Sequence, residues 1–216
     1  MRQRVKICCI SSTDEAKLAI AYGAAAIGLV GNMPSGPGVI SDDLIREIAL
    51  TIPPPIATFM LTSETDADAI TTHHHRTLTN TIQLVDKLAP GTIGALRRAL
   101  PAVKLVKVIH VINEASVRDA AAAAEEVDAL LLDSGNPFLA VKELGGTGRV
   151  HNWSLSRKIV DTVRVPVFLA GGLTPGNVRE AIETVQPFGV DLCNGVRTDG
   201  HLDERKLELF MHAVWQ

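Results

Sequence analysis

The sequence has few cysteines, no excess of one charge and no long apolar run, and each absence argues against a class of protein. Three cysteines in 216 residues are an odd number that does not form a disulfide framework, so we expect a reducing, cytoplasmic location. The formal net charge of -3 comes without a long run of Lys or Arg, which argues against nucleic-acid and membrane partners. No segment reaches the roughly 20 apolar residues that cross a bilayer. We therefore expect a small-molecule ligand.

Short apolar runs alternate with amphipathic stretches along the whole chain. The alternation predicts strands followed by helices, and strands with uninterrupted apolar runs are typical of a parallel sheet covered by helices. The predicted strands lie within residues 5–10, 24–30, 56–61, 80–85, 103–111, 127–133, 165–172 and 188–195. Asn113 and Thr174 are predicted to cap the fifth and seventh of the eight helices.

A repeat of eight strand–helix units predicts a closed (β/α)8 TIM barrel. A doubly wound open sheet is the structural alternative, but such sheets seldom contain eight regular units. No linker or change in composition marks a second domain. We therefore predict that residues 1–216 form a single domain.

Two side chains at predicted strand ends suggest acid–base chemistry, because active sites of such barrels lie at the C-terminal ends of the strands. Cys8 lies near the end of the first strand, and Asp133 is the last residue of the sixth. A carboxyl group beside an apolar run is partly desolvated, which keeps it protonated enough to donate a proton, and a nearby thiol can act as the base. Taken singly, Cys8 can equally be a small buried hydrophobe and Asp133 a loop cap.

Glycine clusters follow the sixth and seventh predicted strands. Gly146 and Gly148 belong to the first cluster, and Gly171 and Gly172 precede a helix in the second. Backbone N–H groups at a helix N-terminus bind phosphate, since the absence of a β-carbon lets the anion approach. Each cluster alone is also explained by a tight turn. Their positions after the later strands of a barrel favour a phosphate site.

Three adjacent histidines, 73 to 75, do not indicate a metal site. Neighbouring residues on a helix point in different directions, so they do not converge on one ion as residues at i and i+4 do. We predict that they end a solvated helix, and we expect no metal or organic cofactor.

Five segments resemble, in order and spacing, those of the phosphoribosylanthranilate isomerase family, a β/α-barrel family of tryptophan biosynthesis: VKICCI, LLLDS, GGTGRVHNWSL, PVFLAGGLTPGNV and FGVDLCNGV. The resemblance spans nearly the whole chain. It implies an Amadori rearrangement of a phosphorylated aminoaldose to an aminoketose, in a monomer or homodimer. It also implies roles for residues at matching positions: Cys8 as base, Asp133 as acid, and Gly146, Gly148, Gly171, Gly172, Gly195 and Val196 as the phosphate site.

The chain departs from the family at a position that binds the substrate carboxylate. Gly38 stands where the family usually has an arginine, and each charge-assisted hydrogen bond lost there is worth roughly 1.5–3 kcal/mol. Arg197, which replaces a family acid, is the candidate carboxylate partner, with Arg149 and Lys107 as other cations near the barrel mouth. Two alternatives stay open: a paralogue acting on another phosphorylated small molecule, and a non-catalytic phosphate-binding barrel.

The remaining thiols, Cys9 and Cys193, have no predicted part in the chemistry. Cys9, where the family usually has glycine, is predicted to pack near the end of the first strand. Cys193 ends the eighth strand, which neighbours the first in a closed barrel, so Cys8 and Cys193 are expected to approach each other. No disulfide is predicted in a reducing cell.

Overall fold

The computed structural model describes residues 3–135 and 148–216. Within these ranges eight parallel strands pair in chain order, and the eighth pairs with the first to close the barrel. The strands are β1 Arg4–Ile7, β2 Ala26–Val30, β3 Ala57–Thr62, β4 Thr81–Leu84, β5 Lys104–His110, β6 Ala129–Asp133, β7 Val167–Leu169 and β8 Gly189–Leu192. The predicted (β/α)8 TIM barrel is confirmed.

The helices surround the barrel in the order expected from the alternation. They are α1 Thr13–Ala21, α2 Asp42–Thr51, α3 Ala67–Thr77, α4 Thr92–Ala99, α5 Ala115–Ala124, α6 Trp153–Thr162, α7 Val178–Val185 and α8 Glu204–Trp215. After β8 a short 3-10 turn leads into a small antiparallel hairpin, β9 Arg197–Thr198 and β10 His201–Leu202, which the sequence pattern did not indicate.

Side chains of each strand point alternately to two separate apolar clusters. On β6, Leu130 and Leu132 pack outward against the helices, while Ala129 and Leu131 point into the barrel. Phe59 and Phe168 fill the interior, with ring centroids 5.9 Å apart in an edge-to-face contact. Because inward and outward positions alternate, polar residues at inward positions must lie inside the barrel or at its mouth.

The predicted caps of two helices differ from those observed. Helix α5 begins after Glu114, and the side chain of Asn113 accepts a hydrogen bond from the amide of Ala115 instead. Helix α7 begins at Val178, one turn after Thr174, because Asn177 holds the intervening turn. Its carboxamide accepts from the Thr174 amide and donates to the Gly172 carbonyl.

The histidines of α3 are not all solvated, so that prediction is wrong for His73 and His74, which are buried. His73 Nδ1 lies 3.1 Å from the Thr62 hydroxyl, and its Nε2 lies 3.1 Å from Asp42 Oδ1. Gly31 leaves the room for this ring, since a β-carbon there would lie 2.4 Å from His73 Cε1. These contacts give His73 a structural role between α3, β3 and α2.

Candidate active site

Cys8 and Asp133 line the same cavity, which opens at the C-terminal end of the barrel and has a volume of about 260 Å³. Cys8 follows β1 directly, and Asp133 ends β6. Gln83 and Asp191 line the cavity from β4 and β8. The structure therefore brings together the two groups that the sequence suggested for acid–base chemistry, from opposite parts of the barrel.

The Asp133 carboxyl group is buried, and burial raises its pKa to about 6. Its Oδ1 accepts a hydrogen bond of 2.7 Å from the Ser134 amide, which opposes the shift without cancelling it. A carboxyl group with this pKa holds a proton at mildly acidic pH and releases it near neutrality. It is suited to general acid catalysis in this range.

The Cys8 thiol lies inside the barrel beside the ammonium group of Lys6. Burial raises the pKa of the thiol to about 11, while the charge of Lys6 lowers it and that of Asp191 raises it. Gly28 provides the space, because a β-carbon there would lie 2.7 Å from Cys8 Sγ and 3.0 Å from Lys6 Nζ. Among the described residues, the thiol thus has one cation, Lys6, as a direct neighbour.

Three inward-facing polar residues were not predicted from the sequence as part of the site: Lys6, Gln83 and Asp191. Lys6 is two residues before Cys8, and Lys6 Nζ lies 2.8 Å from Asp191 Oδ1. The Oε1 atom of Gln83 is buried and has no hydrogen-bond partner among the described residues. A signal for all three is present in the sequence, since each polar residue stands between two apolar residues of its strand, which places it on the opposite face from them.

The glycine turns form the wall of the cavity next to β7 and β8. Gly148, Gly171, Gly172 and Gly195 all line it. Gly172 has φ 63°, and a β-carbon there would lie 2.6 Å from the backbone of Arg149. A β-carbon at Gly195 would lie 2.2 Å from the Leu173 carbonyl oxygen. Glycine is therefore required for the loops to approach each other this closely.

The structure does not place the other two predicted phosphate-binding residues, Gly146 and Val196, in this wall, for different reasons. Gly146 lies outside the described residues. Val196 is fully buried and does not line the cavity, and its amide donates to the Cys193 carbonyl at 3.4 Å. The prediction that the Val196 amide binds phosphate is therefore wrong, because the 3-10 turn after β8 directs this amide to the Cys193 carbonyl.

Arg197 does not face the cavity, which corrects the expectation that it meets a substrate carboxylate. Its guanidinium group is buried and donates to both carboxylate oxygens of Glu15, at 3.2 and 3.1 Å. It also donates to the carbonyl oxygens of Cys8 and Cys9, at 3.3 and 2.5 Å. The arginine thus stabilises the loop that follows β1.

The other cations considered in the sequence are also placed elsewhere. Lys107 Nζ donates to three backbone carbonyls, those of Leu84, Asp86 and Val108. Arg149 is exposed, with its backbone against Gly172. Among the described residues that line the cavity there is no lysine, arginine or histidine.

Cys9 forms a disulfide bond with Cys193, which was not predicted, so the assignment of Cys9 to packing is wrong. The Cα atoms of the two bonded residues are 5.8 Å apart. Cys9 has φ 62°, a left-handed conformation that directs its side chain towards the loop after β8. Gly38 packs against it, because a β-carbon at residue 38 would lie 2.5 Å from Cys9 Cβ.

The fold and the position of the cavity are those of a class of proteins: β/α-barrel enzymes, whose active sites lie at the mouth of the barrel. The family model described as N-(5'phosphoribosyl)anthranilate (PRA) isomerase matches residues 5–213. The N-(5'-phosphoribosyl)anthranilate isomerase 2 of Methanosarcina mazei is 39% identical, over 98% of this chain and 93% of its own length.

Solved structures agree with this match. The phosphoribosyl anthranilate isomerase of Thermotoga maritima is 30% identical and superposes with a TM-score of 0.83, covering 98% of both chains. A phosphoribosyl anthranilate isomerase in complex with reduced 1-(o-carboxyphenylamino)-1-deoxyribulose 5-phosphate is 28% identical with a TM-score of 0.80, again over 98% of both chains. The chain belongs to the phosphoribosylanthranilate isomerase family.

Because the chain belongs to this family, it is an isomerase of tryptophan biosynthesis. The same matches favour this activity over a paralogue with another substrate and over a non-catalytic barrel. None of the helices in the described ranges has the length and apolar character of a membrane span.

Proposed function

We propose that Asp133 and Cys8 carry out the isomerisation of N-(5'-phosphoribosyl)anthranilate, with Asp133 as the general acid and Cys8 as the general base. The observation that carries the proposal is their common cavity: a proton donor on β6 and a proton acceptor after β1 face the same space. A substrate bound there has one group on each side of its reacting carbons.

The reaction divides into proton transfers at these two positions. Asp133 donates its proton to the ring oxygen of the sugar, the C1–O bond breaks, and the nitrogen lone pair forms the C=N bond of an iminium ion. The Cys8 thiolate then removes the C2 proton, the released electron pair forms the C1=C2 bond of an enolamine, and the C=N π electrons return to nitrogen. Movement of the C2 hydroxyl proton to C1 gives the aminoketose, and transfer of a proton from Cys8 to Asp133 through solvent restores both groups.

The reaction requires Asp133 to be protonated while Cys8 is ionised. The pKa of Asp133 is about 6 and that of Cys8 about 11, so as pH rises Asp133 loses its proton before Cys8 does. Between these values the fraction of enzyme in the required state is small and independent of pH. A group that stabilises the thiolate therefore raises the rate directly.

The glycine wall provides the phosphate end of the proposed substrate site. Gly148, Gly171, Gly172 and Gly195 expose backbone without side chains towards the cavity, which is the environment in which an anion approaches amide groups. Gly146 stays a prediction for the same role. With no cationic residue among the described lining, we infer that the anthranilate carboxylate is met by neutral donors.

The proposal is tested by following the loss of anthranilate-derived fluorescence as the purified protein consumes substrate. Cys8→Ala and Asp133→Asn are each expected to lower kcat by roughly 10²–10⁴-fold, the usual contribution of a general acid or base. Asp128→Asn, at the opposite end of the barrel strands, is the matched control and should retain activity. Wild-type-like turnover by either site variant would remove that residue from the mechanism.

We also infer a cytoplasmic location and a monomeric or homodimeric state. The family's place in tryptophan biosynthesis supports the first inference. The second is supported by a structural neighbour, an isomerase of Thermotoga maritima described as dimeric and converted to monomers. Sedimentation equilibrium of the purified chain distinguishes these states from larger assemblies.

A further inference from the structure

Lys6 is a charged residue inside the barrel. Its side chain is fully buried, and its ammonium group lies 2.8 Å from Asp191 Oδ1 and 5.1 Å from the ring centroid of Phe59. Placing an ion pair in a barrel interior is costly, and replacing such pairs with apolar residues is often neutral or stabilising. Stability alone therefore does not explain a lysine at this position.

The geometry connects the ammonium group to Cys8. Residues two apart on a strand point to the same face, so Lys6 and Cys8 both face the barrel interior. Both approach the space above Gly28, where a β-carbon would contact Cys8 Sγ and Lys6 Nζ together. Asp191 is the register partner of Lys6 on β8 and reaches the cavity from the other side.

The charges around the Cys8 thiol are few. Strand β1 contributes Lys6, β8 contributes Asp191, and across the barrel β6 contributes Asp133. Neighbouring β2 contributes Gly28, which carries no charge. Burial acts to lower the pKa of Lys6, but the charges of Asp191 and Cys8 outweigh it and the pKa is raised, so the lysine stays protonated. Within residues 3–135 and 148–216, it is the cation that contacts the thiol.

We propose that Lys6, held by Asp191, is a positioning residue whose ammonium group is the counterion of the Cys8 thiolate. The inference rests on the proposed role of Cys8 as the base. Lys6 exchanges no proton in the reaction: the C2 proton moves to Cys8 sulfur, and the ammonium group keeps its charge throughout. Asp191 fixes the ammonium group where the sulfur becomes negative.

The test measures Cys8 alkylation by iodoacetamide as a function of pH, without reductant, so that Cys9 and Cys193 stay paired. Lys6→Met removes the charge at similar volume. The midpoint of the alkylation profile should rise by roughly one unit or more, with a roughly tenfold or greater loss of rate below that midpoint. The kcat should fall with little change in KM.

Lys107→Met is the control, because Lys107 is also a lysine within a strand, half-buried, and its ammonium group donates hydrogen bonds only to backbone carbonyls among the described residues. It should leave the alkylation profile of Cys8 unchanged. The double variant Lys6→Met/Asp191→Asn avoids an unpaired buried carboxylate and should fold if the single variant does not. Its midpoint should also rise, by less than in Lys6→Met, because Asp191 opposes Lys6.

A Cys8 alkylation profile that is the same in the wild type and in the folded Lys6 variants would overturn the inference. The proposed function fails by a different result, namely turnover by Cys8→Ala. If Cys8→Ala is inactive and the Lys6 variants alkylate as the wild type does, the counterion role alone is rejected.

Discussion

Replacing the proposed acid should make the protein more stable at neutral pH. The pKa of Asp133 is raised from 3.8 to about 6 by burial. The folded protein therefore keeps a proton that the unfolded chain releases from about pH 4 upwards, and stability falls as pH rises between these values. At 1.36 kcal/mol per unit, a shift of roughly two units costs about 3 kcal/mol above pH 7.

Asp133→Asn removes this cost at nearly constant shape. Asn keeps Oδ1, so the hydrogen bond from the Ser134 amide is retained. We expect the free energy of unfolding to exceed that of the wild type by about 3 kcal/mol at pH 7.5 and by about 1 kcal/mol at pH 4.5. Urea unfolding at the two pH values, followed by tryptophan fluorescence, measures both differences.

Asp128 supplies the control of opposite sign. Burial acts to raise its pKa, but the hydrogen bonds from the Leu105 amide and Arg97 outweigh it, so the pKa is lowered. This carboxylate contributes stability above its unfolded pKa, and the contribution is lost as pH falls. Asp128→Asn should therefore be less stable than the wild type at pH 7.5. An Asp133→Asn protein with unchanged stability at both pH values would refute the desolvation of the acid.

Two further predictions concern the β1 end of the barrel mouth. Gly38→Ala should lower the free energy of unfolding by about 1–3 kcal/mol more than Gly200→Ala. Both glycines have φ near 80°, but a β-carbon at residue 38 would lie 2.5 Å from Cys9 Cβ, whereas one at residue 200 would contact no described atom. Equal losses of thermal stability would contradict this contact. Alkylation of the denatured protein should label Cys8 alone without reductant and Cys8, Cys9 and Cys193 with it. Three labels before reduction would exclude the disulfide bond.

The fold and the positions of the two proposed acid–base groups could be predicted from the sequence because both depend on local patterns. Apolar runs and helix signals fix the eight units, and the C-terminal end of a strand is recognisable for Cys8 and Asp133 without knowing any distance. The inward-facing Lys6 was present in the same pattern, but its meaning depends on Asp191, its partner on the last strand.

The errors arise where residues far apart in sequence meet. In the sequence, Arg197 is a cation after the last strand with no partner nearby, and the carboxylate that binds it, Glu15, lies 182 residues earlier. The strand pattern predicts that Cys9 points outward next to Cys8. Its backbone is instead left-handed, which is unusual for a residue with a β-carbon, and this conformation turns the side chain towards Cys193. Such contacts follow from closure of the barrel and from single backbone angles, which composition and periodicity do not specify.

The bond between Cys9 and Cys193 spans a sequence separation of 184 residues and joins the loops that follow β1 and β8. Strands β1 and β8 form the seam of the barrel, where hydrogen bonds join neighbours that no short connection links. A protease that cut any exposed loop between the two cysteines would leave two fragments held as one molecule. Nicked protein would therefore migrate as an intact chain in non-reducing gels and separate into pieces once the bond is reduced.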